Sequence, residues 1–207
     1  MIQKIVFATG NEGKMREIRD ILKETDAQIL SMKEAGISAD IVEDGTTFEE
    51  NAVIKAKAVT RILKEHDAET YRNAVVLADD SGLEIDYLNK EPGIYSARYL
   101  GENTPYSVKN ANLIERLAGV PDEKRTARFV CAIAAALPDG EVVTTRGVIE
   151  GRIGYQEKGD NGFGYDPIFY VPELDCTTAQ LSEEEKNRIS HRGKALEAMK
   201  KELGKRI

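Results

Sequence analysis

Residues 4–8, KIVFA, form an apolar run too short for a core helix, followed at once by the polar, glycine-containing segment TGNEGK at 9–14. Beyond it, Met15, Ile18 and Leu22 recur at helical spacing. Strand, loop and amphipathic helix in that order commit the chain to α/β architecture from its first residues.

The remaining pattern agrees. Phe48, Ala52, Ala56, Val59 and Leu63 predict a second helix starting near Phe48, with Lys55 and Arg61 on its polar face. The run AVVLA at 74–78 reads as a short strand ending in a turn at DDSG. Thr104 and Pro105 read as the cap and first residue of a helix that ends near Gly119 and Pro121. Two β-rich stretches, 126–137 and 141–149, are joined by PDG, a tight-turn signal that predicts an antiparallel hairpin and so a mixed sheet. Ser182 and Glu185 make a capping box, and Leu196, Met199 and Leu203 a later apolar stripe, with SHRG at 190–193 as a break between two helices. No repeat or low-complexity linker divides the chain, so a single unit over 1–207 is expected.

A length of 207 residues can bury an adequate core, and a hydrophobic fraction of 41% is that of an ordinary globular protein. The opening residues MIQKIVFATG lack a cleavable apolar leader, and no stretch is long enough to span a bilayer, which points to the cytoplasm. Cys131 and Cys176 have no CxxC or His partner, so reduced thiols are expected. A net charge of −7 disfavours nucleic-acid or anionic-membrane binding. A small polyphosphate is still compatible with an acidic protein when a divalent metal and a few local donors hold it.

Four clusters carry chemistry. Thr9, Gly10, Asn11, Glu12, Gly13 and Lys14 lie where a strand yields to a helix, the place where free amides and the helix dipole favour phosphate. A Walker loop would need Gly in place of Ala8 and Ser or Thr in place of Met15, so this is another kind of phosphate loop or simply a turn. Asp79, Asp80, Ser81 and Gly82 put two carboxylates side by side, suited to a hard cation and to water activation, or to capping the turn. Adjacent strand residues face opposite sides, so only one of the pair faces a metal squarely unless the chain has already turned. Glu43 and Asp44 offer a second acidic pair. In GDNGFGYDP at 159–167, glycines expose Phe163 and Tyr165, where a ring can stack on a base or anchor the loop, and Asp166 can accept from a base edge. Lys186, Ser190, His191 and Arg192 are donors for phosphate or a carbonyl, or else a solvated helix face.

Six segments occur in one order: TGNEGK at 9–14, VEDGTTFEENAVIKA from 42 to 56, LADDSGLEID at 77–86, PGIYSARY at 92–99, GFGYDPIF at 162–169 and ISHRGKAL at 189–196. Together they resemble the inosine/xanthosine triphosphate pyrophosphatase family across nearly the whole chain. The resemblance implies an elongated two-lobed α/β fold, with a mixed central sheet flanked by helices and a cleft between the lobes, in a homodimer. It implies that Thr9 to Lys14 hold phosphates, that Glu43 and Asp80 bind Mg2+, and that Asp80 is also the proton acceptor. It further implies that Ser81 contacts substrate, that Phe163, Gly164, Tyr165 and Asp166 embrace the base, and that Lys186, His191 and Arg192 complete the pocket. Asp79, Glu49, Glu50 and Lys55 are supporting residues.

The expected reaction is attack of water on the α-phosphorus of ITP, dITP or XTP, with pyrophosphate leaving and no phosphoenzyme. Two alternatives stand beside it: a pyrophosphatase for another modified nucleotide, and a noncatalytic nucleotide-binding module.

Overall fold

The computed structural model describes residues 4–23 and 25–204; the ends of the expected 1–207 domain, residues 1–3 and 205–207, and residue 24 lie outside them. The elements in chain order are β1 (Lys4–Phe7), α1 (Glu12–Ile21), β2 (Gln28–Ser31), α2 (Phe48–Asp67), β3 (Val75–Ile85), α3 (Tyr106–Arg116), β4 (Thr126–Ala136), β5 (Val142–Ile153), β6 (Phe169–Val171), β7 (Cys176–Thr177), α4 (Glu183–Ile189) and α5 (His191–Leu203). The strands form one sheet in the order β2-β1-β3-β4-β5-β6-β7. β1 pairs in parallel with β2 and with β3, whereas β6 is antiparallel to β5 and to β7, so the expected mixed α/β sheet is present.

The residues fall into two compact units. The first comprises residues through Asp80, Cys131–Gly147 and Gly193 onward; the second comprises Ser81–Val130 and Val148–Arg192. β3, β4 and β5 each contribute residues to both.

In the first unit, β1 lies inside the sheet with a parallel strand on each side, and Ile5, Val6 and Phe7 are all buried rather than alternating, the pattern of a strand covered on both faces. Met15, Ile18 and Leu22 from α1, Val75 and Leu77 from β3, Cys131 and Ile133 from β4, and Leu196, Met199 and Leu203 from α5 form its core cluster. The α2 stripe is buried at every expected position, from Phe48 to Leu63. In the second unit, Leu83 and Ile85 pack with Leu113, Leu117, Phe129, Ile153, Ile168 and Phe169.

Several boundaries differ from the sequence reading. β3 does not end at Ala78; it runs straight through Asp79, Asp80, Ser81 and Gly82 to Ile85. A strand lying beside another strand has its backbone groups satisfied along its length, so turn-prone residues do not oblige the chain to turn. The helix of TGNEGK begins at Glu12, inside the expected turn. Pro105, not Thr104, is the N-cap of α3, and the Thr104 hydroxyl instead donates to the Leu100 carbonyl at 2.6 Å. Other boundaries fall as expected: the Ser182–Glu185 capping box opens α4, and Ser190, with φ −65° and ψ 155°, separates α4 from α5. Cys131 is buried and Cys176 half-buried, both as free thiols. Among the described residues, no helix is long and apolar enough to cross a membrane.

The second unit contains a buried charge with hydrogen bonds to three backbone carbonyls, its guanidinium lying over the Tyr155 ring at 4.2 Å. Arg125 is 1% exposed, and its Nε, Nη1 and Nη2 donate to the carbonyls of Ile153, Leu117 and Gly154 at 2.8, 2.7 and 2.7 Å. Arg125→Leu leaves the Ile153 and Gly154 carbonyls without this donor, while the Leu117 carbonyl keeps the Val120 amide at 3.1 Å. At about 1–3 kcal/mol for each buried orphan, a loss of at least about 2 kcal/mol is expected from urea unfolding. A change below 1 kcal/mol, roughly the net worth of one ordinary hydrogen bond, contradicts this account.

Candidate active site

The candidate residues separate by unit. Thr9 to Lys14, Glu43, Asp79 and Asp80 belong to the first; Ser81, Phe163 to Asp166, Lys186, His191 and Arg192 belong to the second. Asp80 and Ser81 are consecutive in β3.

In the first unit the loop after β1 is built to start a helix. Thr9 Oγ1 accepts from the Asn11 amide at 3.1 Å, and Asn11, the N-cap of α1, accepts from the Lys14 amide at 3.0 Å. The first-turn amides at Glu12 and Gly13 have no acceptor within the helix, the geometry that receives an anion. A side chain on Gly10 would meet nothing within 4 Å, so the loop stands beside open space. A groove of about 850 Å3 follows it, lined by Thr9, Gly10, Glu12 and Gly13 and by Arg16, Arg19 and Lys33, basic residues the sequence reading did not single out.

Because β3 stays extended, Asp79 and Asp80 point to opposite sides of the strand, as the alternation rule requires. Asp79, 1% exposed, pairs through Oδ2 with Lys14 Nζ at 3.0 Å. Asp80, 8% exposed, accepts from Asn51 Nδ2 at 3.0 Å. Neither acid caps a turn. Burial pushes the Asp80 carboxyl above the ordinary carboxylate range, against the opposing pull of Lys55, the Asn51 hydrogen bond and Lys14.

Lys55 reaches two other segments. From the polar face of α2, its Nζ donates to the Asp79 carbonyl at 2.9 Å and pairs with Glu43 Oε1 at 3.0 Å, contacts the helical pattern does not show. It thereby joins the 43–45 loop to β3. The other acids named as supporting residues have surface roles: Glu49 pairs with Arg146 at 2.7 Å, and Glu50 Oε2 accepts from the Thr46 amide and hydroxyl at 2.7 and 2.8 Å. Among the described residues, no three His, Cys, Asp or Glu side chains gather into a metal cage.

In the second unit the 159–167 loop is held from within. Asp166 Oδ2 accepts from Lys186 Nζ at 2.6 Å and from the Phe163 amide at 2.8 Å, and its Oδ1 accepts from Thr178 Oγ1 at 2.8 Å. Its carboxylate therefore has three protein donors and shapes the loop, whereas the sequence reading gave it a base edge. Tyr165 is also corrected: it is buried, not exposed, with its hydroxyl donating to the Ser96 carbonyl at 2.7 Å and its ring edge-on to Tyr106 at 5.2 Å. An aromatic with one polar tip satisfied by backbone is an anchor.

Phe163 keeps a partly open ring, with Lys186 Nζ 4.9 Å and the Arg192 guanidinium 5.7 Å from its centre. Arg192 Nη2 lies 3.2 Å from Ser81 Oγ, and His191 stacks on Phe129 at 4.9 Å. Lys186, His191 and Arg192 are buried, so the solvated-face reading of this segment does not hold. Among the supporting residues missed in the sequence, Asn51 left a trace: an amide on the buried side of α2, between Phe48 and Ala56. Ser96 lies within the quoted PGIYSARY segment, whereas Tyr106 and Thr178 left none.

A mixed seven-stranded α/β sheet carrying a helix-start loop, paired carboxylates and an aromatic loop flanked by cations fits a nucleotide-handling class of protein. The chain belongs to the Ham1 family, whose model matches residues 5–202. A dITP/XTP pyrophosphatase of Clostridium perfringens is 46% identical over 202 residues, covering 98% of each chain. One of Bacillus subtilis is 43% identical over 203 residues, again covering 98% of each. Among solved structures, the Ham1 protein of Staphylococcus aureus superposes with a TM-score of 0.84 at 42% identity, covering 99% of this chain and 100% of its own.

Gly162 makes the loop testable. Its φ is +74°, and a Cβ there would lie 2.3 Å from Asp166 Oδ2. Gly162→Ala should therefore destabilise the protein by at least about 1 kcal/mol through backbone strain and expel the Asp166 carboxylate from its seat. Hydrogen exchange at the Phe163 amide, slow in the parent, should become fast; unchanged exchange would show that the loop does not depend on this packing.

Proposed function

We propose that this protein hydrolyses the noncanonical purine nucleoside triphosphates dITP, ITP and XTP to the monophosphate and pyrophosphate, withdrawing them from the nucleotide pool. The observation that carries the reading is the grouping in the first unit of a helix-start loop, Lys14 and Lys55 as cations, and Asp80 as a buried carboxylate beside them. The names of its full-length relatives agree with it.

Lys14 and the loop from Thr9 to Gly13 hold the phosphates through amides and one mobile charge. Asp80 accepts a proton from water as its oxygen attacks the α-phosphorus; the bond from that phosphorus to the bridging oxygen breaks, and the electron pair leaves with pyrophosphate. A carboxyl raised by burial binds that proton more readily than a solvated one. No protein nucleophile is needed.

The donor set fits a magnesium ion. Asp80 and Glu43 supply hard carboxylate oxygens in the first unit, and such an ion takes one or two carboxylates together with substrate phosphate oxygens and water, so a three-acid cage is not required. When bound, the cation would neutralise charge developing on the triphosphate.

In the second unit the Phe163 ring offers a stacking face, Gly164 lets the loop turn, and Tyr165 and Asp166 fix its shape. Ser81 contributes a hydroxyl. Lys186, His191 and Arg192 are donors, and buried donors can donate to a 6-keto oxygen but are left opposed by the 6-amino group of adenine. We read residues 1–207 as a single pyrophosphatase domain acting in the cytoplasm as a homodimer that binds neither nucleic acid nor membrane; sedimentation tests the dimer.

The decisive assay measures pyrophosphate from dITP, ITP, XTP, GTP, ATP and a modified pyrimidine triphosphate with Mg2+, for the parent and for Asp80→Asn. Fast release from the first three, slow release from ATP, and a fall in kcat of about 100- to 10,000-fold in the variant are expected. Equal turnover of ATP removes the base selectivity, and release of single phosphate removes attack at the α-phosphorus. Preference for a modified pyrimidine triphosphate supports the other house-cleaning reading, and tight ITP binding without turnover supports a binding module.

A further inference from the structure

Asn51 touches both parts of the acidic cluster in the first unit and has no part in the chemistry assigned above. It is 1% exposed. Its Nδ2 donates to Asp80 Oδ2 at 3.0 Å, and its Oδ1 accepts from the Gly45 amide at 2.9 Å. The orientation of the carboxamide is fixed by chemistry, because the Gly45 N–H can only donate and an ionised Asp80 can only accept. The fit is close: a Cβ on Gly45 would come within 2.7 Å of Asn51 Oδ1.

Asn51 and Lys55 lie one turn apart on α2, and both join the 43–45 loop to β3. Lys55 does so from Glu43 to the Asp79 carbonyl, and Asn51 from Gly45 to the Asp80 carboxylate. Of these two links, only the one through Asn51 ends on a reacting carboxylate. A buried amide with donor and acceptor both used has one low-energy orientation, and it imposes that orientation on its partner.

We infer that Asn51 is a positioning residue, which sets the Asp80 carboxylate in its working rotamer and ties it in register with the loop that carries Glu43. The inference rests on the assignment of Asp80 as proton acceptor. A link that merely holds the 43–45 loop would need only the Asn51 oxygen that accepts from the Gly45 amide; a positioning role needs the donor to Asp80 as well.

Two substitutions separate these roles. Asn51→Asp is isosteric and keeps an acceptor for Gly45, but replaces the donor to Asp80 with a second carboxylate; Asn51→Ala removes both contacts. With dITP and Mg2+, kcat and kcat/KM should fall together by about 100-fold in both variants, as expected when a reacting group is misplaced while substrate binding persists. Parent-like kcat in N51D with a slow N51A overturns the inference in favour of a loop strap.

A second readout needs neither metal nor nucleotide. In the metal-free protein the Asn51 side-chain NH2 resonances, identified by their loss in N51A, should exchange slowly with solvent; in Asp80→Ala they should shift and exchange faster. If Asp80→Ala leaves them in place, the contact is absent and the inference fails. This arm also decides the matter if N51D does not fold. If the parent releases no pyrophosphate from any nucleotide, the proposed function falls, and the resonance experiment still decides the contact between Asn51 and Asp80.

Discussion

Two neighbouring carboxylates at positions 79 and 80 sit almost wholly out of solvent in the strand β3. A carboxylate in such a place is stable in charged form only with partners, since burial alone costs several kcal/mol per ion. Asp79 meets this demand with Lys14, which ties the first turn of α1 to β3. Asp80 meets it through the Asn51 amide and the nearby charge of Lys55, which tie α2 to the same strand. The placement of α1 and α2, and of the loop before α1, answers to those two acids. The buried pair is also poised: Asp80 retains a raised affinity for a proton because its partners offset burial only in part.

The second unit uses the same economy of charge for a different end. Asp166 is nearly inaccessible, and the Lys186 ammonium, a threonine hydroxyl and a backbone amide share its two oxygens. The result is a rigid loop built on glycines, from which the Phe163 ring remains accessible beside two cations. Stiffness in such a loop favours recognition, because little conformational freedom is left to lose when a flat ligand stacks.

How legible this was in the sequence depends on whether the deciding force was local. Helical stripes were, because one buried face must repeat at fixed spacing: Phe48 to Leu63 is buried at each expected position. Caps were legible where side chain and backbone are close in sequence, as in the Ser182–Glu185 box, and failed where a competing local bond existed, as with the Thr104 hydroxyl and Leu100. The strand end at Ala78 was misread because a neighbouring strand, which no local pattern announces, overrides turn propensity. In the candidate site, the order of motifs named the residues, but their partners were out of reach. That Tyr165 would be an anchor depends on Ser96, and that Lys55 would leave solvent depends on Glu43 and β3. These are contacts of long sequence separation, invisible to periodicity.

The two units are not consecutive stretches of chain. The backbone crosses from one to the other after Asp80, Val130, Gly147 and Arg192, and the core that begins with Ile5 and Phe7 is completed by Leu196, Met199 and Leu203 from α5. A ribosome delivers these pieces in order, at roughly 5–20 residues per second. The first strand is therefore made well before the helix that completes its core, and the first unit cannot close that core until α5 is available. The unit that starts the chain thus depends on the last described helix.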